Sequence, residues 1–87
     1  MRIVPLKDDL SIRTAWFDER TLFVSLSDGR TVGTPLAWYP RLQEASGTQR
    51  ENWRLIAEGE GIHWPDVDED LSLEGMLAGR AAPGGRS

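Results

Sequence analysis

The chain contains no cysteine. A disulfide framework, a thiolate metal site and a cysteine nucleophile are therefore all excluded. With 87 residues, the chain is long enough to build one hydrophobic core but not two. We predict a single domain over residues 1–79, followed by a tail at residues 80–87 whose composition is typical of disorder. In so small a domain large side chains dominate the core, so we expect Trp53 and Trp64 to be core residues.

Long apolar runs are also missing. No stretch approaches the ~18 apolar residues that a membrane-spanning helix needs. Residues 1–10 are mixed and charged, and they lack the apolar core of a signal peptide. We interpret them as a short lead-in strand or edge segment. These features predict a cytoplasmic protein with no membrane partner.

Basic residues are fewer than acidic residues in this sequence. The sequence has 14 acidic and 10 basic residues, and its formal net charge is -4. A nucleic acid is a poor primary partner for such a chain, because the neutralisation of phosphates requires a basic surface. An acidic domain of this size is better matched to a small basic protein.

The alternative of a nucleic-acid-associated regulator, acting as a homodimer, rests on aromatic residues that lie close to arginines. These residues are Trp38, Tyr39 and Trp53. Aromatic rings next to arginines can stack on the bases of single-stranded nucleic acid. Short helices that cover a sheet with tryptophan explain the same residues without a ligand, and the acidic balance of charge agrees with that explanation.

Alternating apolar residues predict three strands in the first half of the chain, at residues 11–18, 21–27 and 30–36. A two-residue turn at Glu19 and Arg20 would join the first two strands. Asp28 and Gly29 would close a second two-residue turn, since a type I′ turn needs positive φ at both central positions. The three strands would then form an antiparallel sheet.

These turns define the two faces of the predicted sheet. A two-residue turn at residues 28–29 sets Ser25 opposite Val32. The expected core face carries Ala15, Phe17, Leu22, Val24 and Leu26. The second face carries Ile12, Trp16, Phe23 and Val32, and an apolar face of this kind needs a cover. Either a terminal segment covers it, or Trp16 and Phe23 belong to an interface with a partner.

Short helices are predicted in the middle of the chain. Pro40 suits the first turn of a helix over residues 40–45, because its missing N–H has no partner there. Thr48 and Glu51 match the pattern of a capping box. They predict a second short helix over residues 49–54.

A short extended segment at residues 62–64, an acidic loop at residues 66–70 and one more helix complete the predicted domain. Ser72 can cap this last helix, over residues 73–78, and Gly79 suits its left-handed end. The predicted fold class is α+β. It is a small antiparallel sheet of three to four strands covered by short helices, with a C-terminal helix after the acidic loop.

Seven acidic residues lie between Glu58 and Glu74 without an intervening lysine or arginine. Three of them alternate as in a calcium loop, but Leu71 and Leu77 stand where that loop requires glycine and glutamate. Acidic residues before the last helix also favour its dipole. As a docking surface for a basic partner, the candidate residues are Asp66, Glu69 and Glu74.

His63 is the only histidine in the sequence. A catalytic metal usually needs more than one such ligand, so a metal-assisted hydrolase remains an alternative that requires a second ligand close to His63. No serine lies in a G-x-S-x-G context. We therefore predict a non-enzymatic domain with no catalytic residue, no metal site and no cofactor.

Six short motifs follow one another along the chain. They are DGR at residues 28–30, PLAWYPRL at 35–42, RENW at 50–53, GEGIHWP at 59–65, DEDLS at 68–72 and GMLAG at 75–79. Their ordered combination resembles the small bacterial family called domain of unknown function 2442. The central motif residues are Gly61, His63, Trp64, Pro65, Asp68, Glu69 and Asp70.

This resemblance implies a small α+β domain. No catalytic residues are established for the family, so none are carried over to this chain. Some relatives attach a helix-turn-helix domain, for which this chain has no room. Relatives are often encoded beside another small uncharacterised protein, in an arrangement that looks like a toxin–antitoxin pair. The resemblance thus implies a binding role, as the antitoxin-like member that neutralises a partner encoded nearby.

Overall fold

A computed structural model describes residues 10–79. Two three-stranded antiparallel sheets lie in this range: β1 (Ile12–Phe17), β2 (Thr21–Leu26) and β3 (Thr31–Pro35), then β4 (Arg54–Ile56), β5 (Gly61–Trp64) and β6 (Glu69–Ser72). The helices are α1 (Pro40–Gln43), α2 (Gly47–Glu51) and α3 (Leu73–Ala78), with 3-10 turns at Leu36–Trp38 and Ala57–Gly59.

The α+β class, with antiparallel strands, short helices and a C-terminal helix, is confirmed. The division of the strands between two sheets was not predicted. The predicted tail at residues 80–87 and all but Leu10 of the predicted lead-in segment lie outside the described residues. Leu10 itself is buried.

The first turn of the first sheet has the predicted register. Phe17 lies opposite Leu22 and Ala15 lies opposite Val24, as a two-residue turn requires. The Asp18 side chain stabilises this turn, because its Oδ1 accepts hydrogen bonds from the backbone N–H of Arg20 and of the residue that follows. The pairing of β1 with β2 is therefore determined locally.

The second turn differs from the prediction. The N–H of Leu26 donates to the carbonyl of Arg30 over 2.8 Å, so the loop has three residues and ends with Gly29 at a φ of 95°. A three-residue loop with a left-handed glycine is the next most common hairpin after the two-residue type. The predicted pairing of Ser25 with Val32 is wrong. Val32 lies opposite Val24 and packs against the core.

The outer face of the first sheet is less apolar than predicted. An irregularity in β1 between Ile12 and Thr14 shifts the register, so Ile12 pairs with Leu26 and is buried. One additional residue in a strand reverses the face of every side chain beyond it. Of the four apolar residues assigned to this face, only Trp16 and Phe23 remain there.

The two helices in the middle of the chain are shorter than predicted. Helix α1 begins at Pro40, as expected, and ends at Gln43. The capping box of α2 is formed by Ser46 and Gln49 rather than by Thr48 and Glu51. Both pairs have the right spacing, but the serine pair satisfies the first free N–H groups and the helix begins two residues earlier.

The second sheet contains part of the predicted acidic loop. Glu69 and Asp70 belong to β6, where they lie opposite Trp64 and His63 of β5. Successive residues of a strand point to opposite faces, so these two acids are separated: Glu69 is buried and Asp70 is exposed.

The last helix has the predicted ends. The Ser72 hydroxyl accepts a hydrogen bond from the Gly75 N–H over 2.9 Å, and Gly79 has a φ of 78°. Across residues 10–79, the helices are all too short to cross a bilayer.

Trp64 occupies the centre of the core, as predicted, and is fully buried. Its indole Nε1 donates to the carbonyl of Arg50 in α2 over 2.9 Å, and its ring meets the edge of Phe17 in β1 at a centroid distance of 6.2 Å. Trp53 is half-buried and packs at the margin of the core. The core residues are Leu10, Ile12, Ala15, Leu22, Val24, Leu26, Leu36, Tyr39, Leu42, Ile62, Trp64, Leu71, Leu73 and Met76.

We expect Trp64→Ala to lower the free energy of unfolding by roughly 3–5 kcal/mol, because it leaves a cavity and an unpaired carbonyl. Trp16→Ala is the matched control, since Trp16 is 43% exposed and should lose only about 1 kcal/mol from its aromatic pair. Urea denaturation of both variants measures the difference. Equal losses would show that Trp64 does not hold the core together.

Candidate functional site

A groove lies between strand β1 and helix α2. It has a volume of about 610 Å³, which is in the range of ligand-binding clefts. We call it the β1–α2 groove, and it is lined by Ala15, Trp16, Phe17, Asp18, Glu19, Gly47, Arg50, Glu51 and Trp53. One wall is therefore a continuous strand segment, and the other is a short helix with the tryptophan that follows it.

The charges of the groove are mainly acidic. Asp18, Glu19 and Glu51 contribute three carboxylates against the single guanidinium of Arg50. Of these carboxylates, that of Asp18 holds the turn after β1. Within residues 10–79, the carboxylates of Glu19 and Glu51 have no hydrogen bond or ion pair. They are the two acids of the groove that are open to an incoming cation.

Arg50 serves the structure of the groove. Its Nε donates to the carbonyl of Leu42 over 2.9 Å, and its Nη2 donates to that of Gln43 over 2.8 Å. Its guanidinium also lies over the Phe17 ring, 5.6 Å from the centroid. Such a contact between a cation and a ring is attractive. Arg50, the single basic residue among the described lining residues, is therefore bonded to the end of α1 and in contact with β1.

Two aromatic residues predicted to bind a partner lie together beside this groove. The rings of Trp16 and Phe23 stack at a centroid distance of 5.6 Å on the outer face of the first sheet. Phe23 also covers Gly33 of β3, where a Cβ atom would lie 3.1 Å from its ring. Trp16 is 43% exposed and lines the groove. The aromatic pair and the groove therefore form one continuous surface.

The acids predicted to dock a partner do not all reach the surface. Asp66 and Glu74 are exposed, and Asn52 donates to Asp66 Oδ2 over 3.0 Å. Glu69 is only 6% exposed. Its Oε1 lies 3.8 Å from Nη1 of Arg41. The prediction of Glu69 as an exposed docking charge is wrong, because β6 turns its side chain toward the core.

A buried polar cluster surrounds Glu69. Burial raises the pKa of the Glu69 carboxyl, and the charge of Arg41 opposes the shift. Burial also raises the pKa of Tyr39; the neighbouring Thr34 hydroxyl lowers it and the Glu69 charge raises it further. Thr34 and Tyr39 are themselves buried. The cluster lies inside the domain, so we assign it to the structure rather than to a binding site.

His63 contacts Asp70 rather than a group of metal ligands. Its Nδ1 pairs with the Asp70 carboxylate across β5 and β6, on the outer face of the second sheet. Among the described residues, no group of three or more histidines, aspartates and glutamates is placed to hold a metal. The pair is the one His–Asp contact in this range, and it lies on strands that do not line the β1–α2 groove.

Several residues of the GEGIHWP and DEDLS motifs have structural roles. A Cβ at Gly61 would lie 3.0 Å from the Ile56 side chain and 3.2 Å from the Leu71 carbonyl oxygen, so a larger residue there would have to displace its neighbours in β4 and β6. Asp68 has a φ of 54°, a conformation that aspartate tolerates better than most residues, and its carbonyl accepts from Arg41 over 2.7 Å. Pro65 begins the turn that leads to β6.

Residues 12–82 match the family described as "Protein of unknown function (DUF2442)". The chain belongs to this family. The match confirms the resemblance inferred from the motifs and includes both walls of the β1–α2 groove. No match was found among curated proteins.

Two solved structures are similar to this member of the family. A crystal structure of a protein of unknown function from Rhodospirillum rubrum has 31% sequence identity and a TM-score of 0.73, with 84% of this chain and 90% of that chain covered. A solution NMR structure of an uncharacterized protein from Chromobacterium violaceum has 20% identity and a TM-score of 0.74, with 88% and 72% covered. The second shows the shared fold alone.

The sequence prediction identified Trp16 but missed the opposite wall of the groove. Glu51 was interpreted only as part of a helix. Trp53 was interpreted as a core residue or, in the alternative, together with nearby arginines as a ring that stacks on nucleic acid. The sequence pattern that comes closest to predicting this wall is the capping box, because it indicates a short helix directly before a tryptophan. Strand β1 and helix α2 are about 30 residues apart in sequence, and no local pattern predicts such a contact.

We expect the buried carboxyl of Glu69 to make stability depend on pH. Its pKa is raised in the folded chain, so its stabilising contribution is complete below the unfolded value near 4.5 and is lost as pH rises through the folded value. Glu69→Gln should therefore be more stable than the parent at neutral pH, with the difference vanishing in acid.

Thermal denaturation at several pH values measures this effect. Glu74→Gln is the control, since it removes the same charge from an exposed position and should show no such trend. A Glu69→Gln variant that is less stable than the parent at neutral pH would contradict the prediction, and would mean that attraction to Arg41 outweighs burial.

Proposed function

We propose that this chain is a non-enzymatic protein-binding domain, the antitoxin-like member of a bacterial two-gene module with a small basic protein as its partner. The observation that carries the proposal is the stack of the exposed Trp16 on the half-buried Phe23 beside an acidic groove. Tryptophan and other aromatic residues are enriched at protein interfaces, where they supply much of the binding energy.

Charge complementarity supports a basic partner. Within residues 10–79 the carboxylates of Glu19 and Glu51 at the groove have no bonded partner, and Asp66 and Glu74 are exposed acids elsewhere on the domain. Opposite charges increase the rate at which two proteins meet and favour the correct orientation. The same charges repel phosphates, which disfavours a nucleic acid as the occupant of the groove.

The residues of the groove support binding rather than chemistry. Its lining side chains, within the described part of the chain, are aromatic rings, carboxylates, one guanidinium and small residues, without a hydroxyl, thiol or imidazole. The guanidinium of Arg50 is already bonded to two carbonyls. A surface of this composition offers an apolar contact and negative charge, which together match a polypeptide with apolar and basic side chains.

We expect the aromatic pair to control dissociation. After co-expression with the product of the adjacent gene, the complex is purified and its kinetics are measured. Trp16→Ser and Phe23→Ser should each raise the dissociation rate by ~10-fold or more, because truncation of an aromatic hot spot costs about 2 kcal/mol or more. Leu77→Ser is the control, since Leu77 is an apolar side chain with the same 43% exposure as Trp16 but on α3. Equal rates for all three variants would contradict the proposal.

We expect the two free acids of the groove to control association. The double variant Glu19→Lys, Glu51→Lys should associate more slowly with the same partner and show a flatter dependence on salt, because charges at the rim of an interface act mainly on the association rate. The matched control is Glu58→Lys, Glu60→Lys, which makes the same charge change at exposed positions outside the groove. If both double variants slow association equally, net charge rather than the groove attracts the partner.

A further inference from the structure

The hydrogen-bonding direction of β1 can be determined from the turn that follows it. The Asp18 N–H donates to the Thr21 carbonyl over 3.0 Å, so these residues form a hydrogen-bonded pair. Antiparallel pairs alternate between hydrogen-bonded and non-hydrogen-bonded types. Trp16 is therefore in the next hydrogen-bonded pair. The backbone N–H and C=O groups of Ala15 and Phe17 point away from β2.

These backbone groups face the β1–α2 groove. Among the strands of residues 10–79, β1 is at the edge of the first sheet, and both Ala15 and Phe17 line the groove. Within residues 10–79, no other strand, loop or side chain bonds to them. Unpaired groups along a strand edge are a template for another strand, and helix α2 forms a wall opposite this template.

The two edges of the first sheet differ in whether another strand can pair with them. The Leu26–Arg30 hydrogen bond shows which residues of β3 bond to β2. By alternation, the backbone groups of Thr31, Gly33 and Pro35 point away from β2, toward the open edge. A proline at such a position cannot donate a hydrogen bond and blocks the pairing of another strand. No proline lies on β1, so β1 is the edge of this sheet that can accept a strand.

We propose that an extended segment of the partner polypeptide occupies the groove as a fourth strand of the first sheet. It pairs with Ala15 and Phe17 on one side and lies against α2 on the other. Strand addition of this kind takes its affinity from main-chain hydrogen bonds and its specificity from pockets for alternate side chains. The inference rests on the proposed function, since it specifies how the partner is bound.

The side chains along the groove define the class of segment. Trp16 offers an exposed aromatic surface to residues on the outer face of the added strand. Glu19 and Glu51 offer their carboxylates to lysine or arginine. Since alternate residues of a strand share a face, the segment should have apolar and basic residues in alternation and no proline at its paired positions.

Two pairs of variants separate strand addition from other contacts. Ala15→Pro removes an N–H that points away from β2, and Thr31→Pro does the same on the opposite edge. Gly47→Met narrows the groove from the side of α2, where a Cβ would have no atom within 4 Å, and Gly47→Ala is its small control. The Gly47 pair keeps the test decisive if Ala15→Pro does not fold, since the Gly47 site has free space and its φ is not in the left-handed region.

The probe is a library of random peptides of roughly seven residues, the length of a short strand, displayed on phage and selected on the immobilised full chain. We expect enriched peptides with alternating apolar and basic residues. Their affinity should fall at least about tenfold for Ala15→Pro and Gly47→Met, as for loss of a main binding contact, and stay within about twofold for Thr31→Pro and Gly47→Ala.

Two results would overturn the inference. One is a selection that enriches no peptide, which would occur if another segment of the chain or a second copy already takes the edge. The other is enriched peptides that bind Gly47→Met as well as Gly47→Ala. Neither result bears on the proposed function itself. A partner that is captured, and lost in Trp16→Ser, would then bind through the aromatic pair without adding a strand.

Discussion

The position of the Trp64 indole determines how the rest of the domain is arranged. Its ring lies in the core between the two sheets, against the edge of Phe17, and its N–H is bonded to the Arg50 carbonyl. A buried tryptophan contributes a large apolar area and one directional bond. Both are used here, since the ring joins β5 to β1 and the bond holds helix α2 in place.

The β1–α2 groove depends on the same contacts. The carbonyl of Arg50 bonds to Trp64, and its side chain bonds to the end of α1 and lies over the Phe17 ring. One wall of the groove is thereby held at a set distance from the other. A binding site keeps its shape when packing and hydrogen bonds to the surrounding residues hold its walls in place. The core tryptophan and the stacked arginine provide that support, while Trp16, Glu19 and Glu51 remain at the surface.

Features determined within a few residues were predictable from the sequence. The turn at Glu19 and Arg20, the serine cap at Ser72 and the left-handed Gly79 each follow from local backbone chemistry. The burial of Trp64 was also expected, because a small domain cannot leave many large rings outside its core.

The hairpin loop length, the register of β1 and the presence of β4 are not determined by local sequence patterns. A left-handed Gly29 ends a three-residue loop as readily as it closes a two-residue turn, and the difference reverses the face of Val32. The register shift before Thr14 has no clear signal in the sequence, yet it moves Ile12 into the core. Strand β4 has only three residues, which is too short for a periodic pattern.

Amide hydrogen exchange of the full chain alone measures most directly whether the edge of β1 is free and faces the groove. Paired amides in a sheet exchange slowly, because the strand must open first. The prediction is fast exchange at Ala15 and Phe17, and slow exchange at Thr14 and Trp16, whose N–H groups point toward β2. Equal protection at all four amides would contradict it, since the edge would then already be paired.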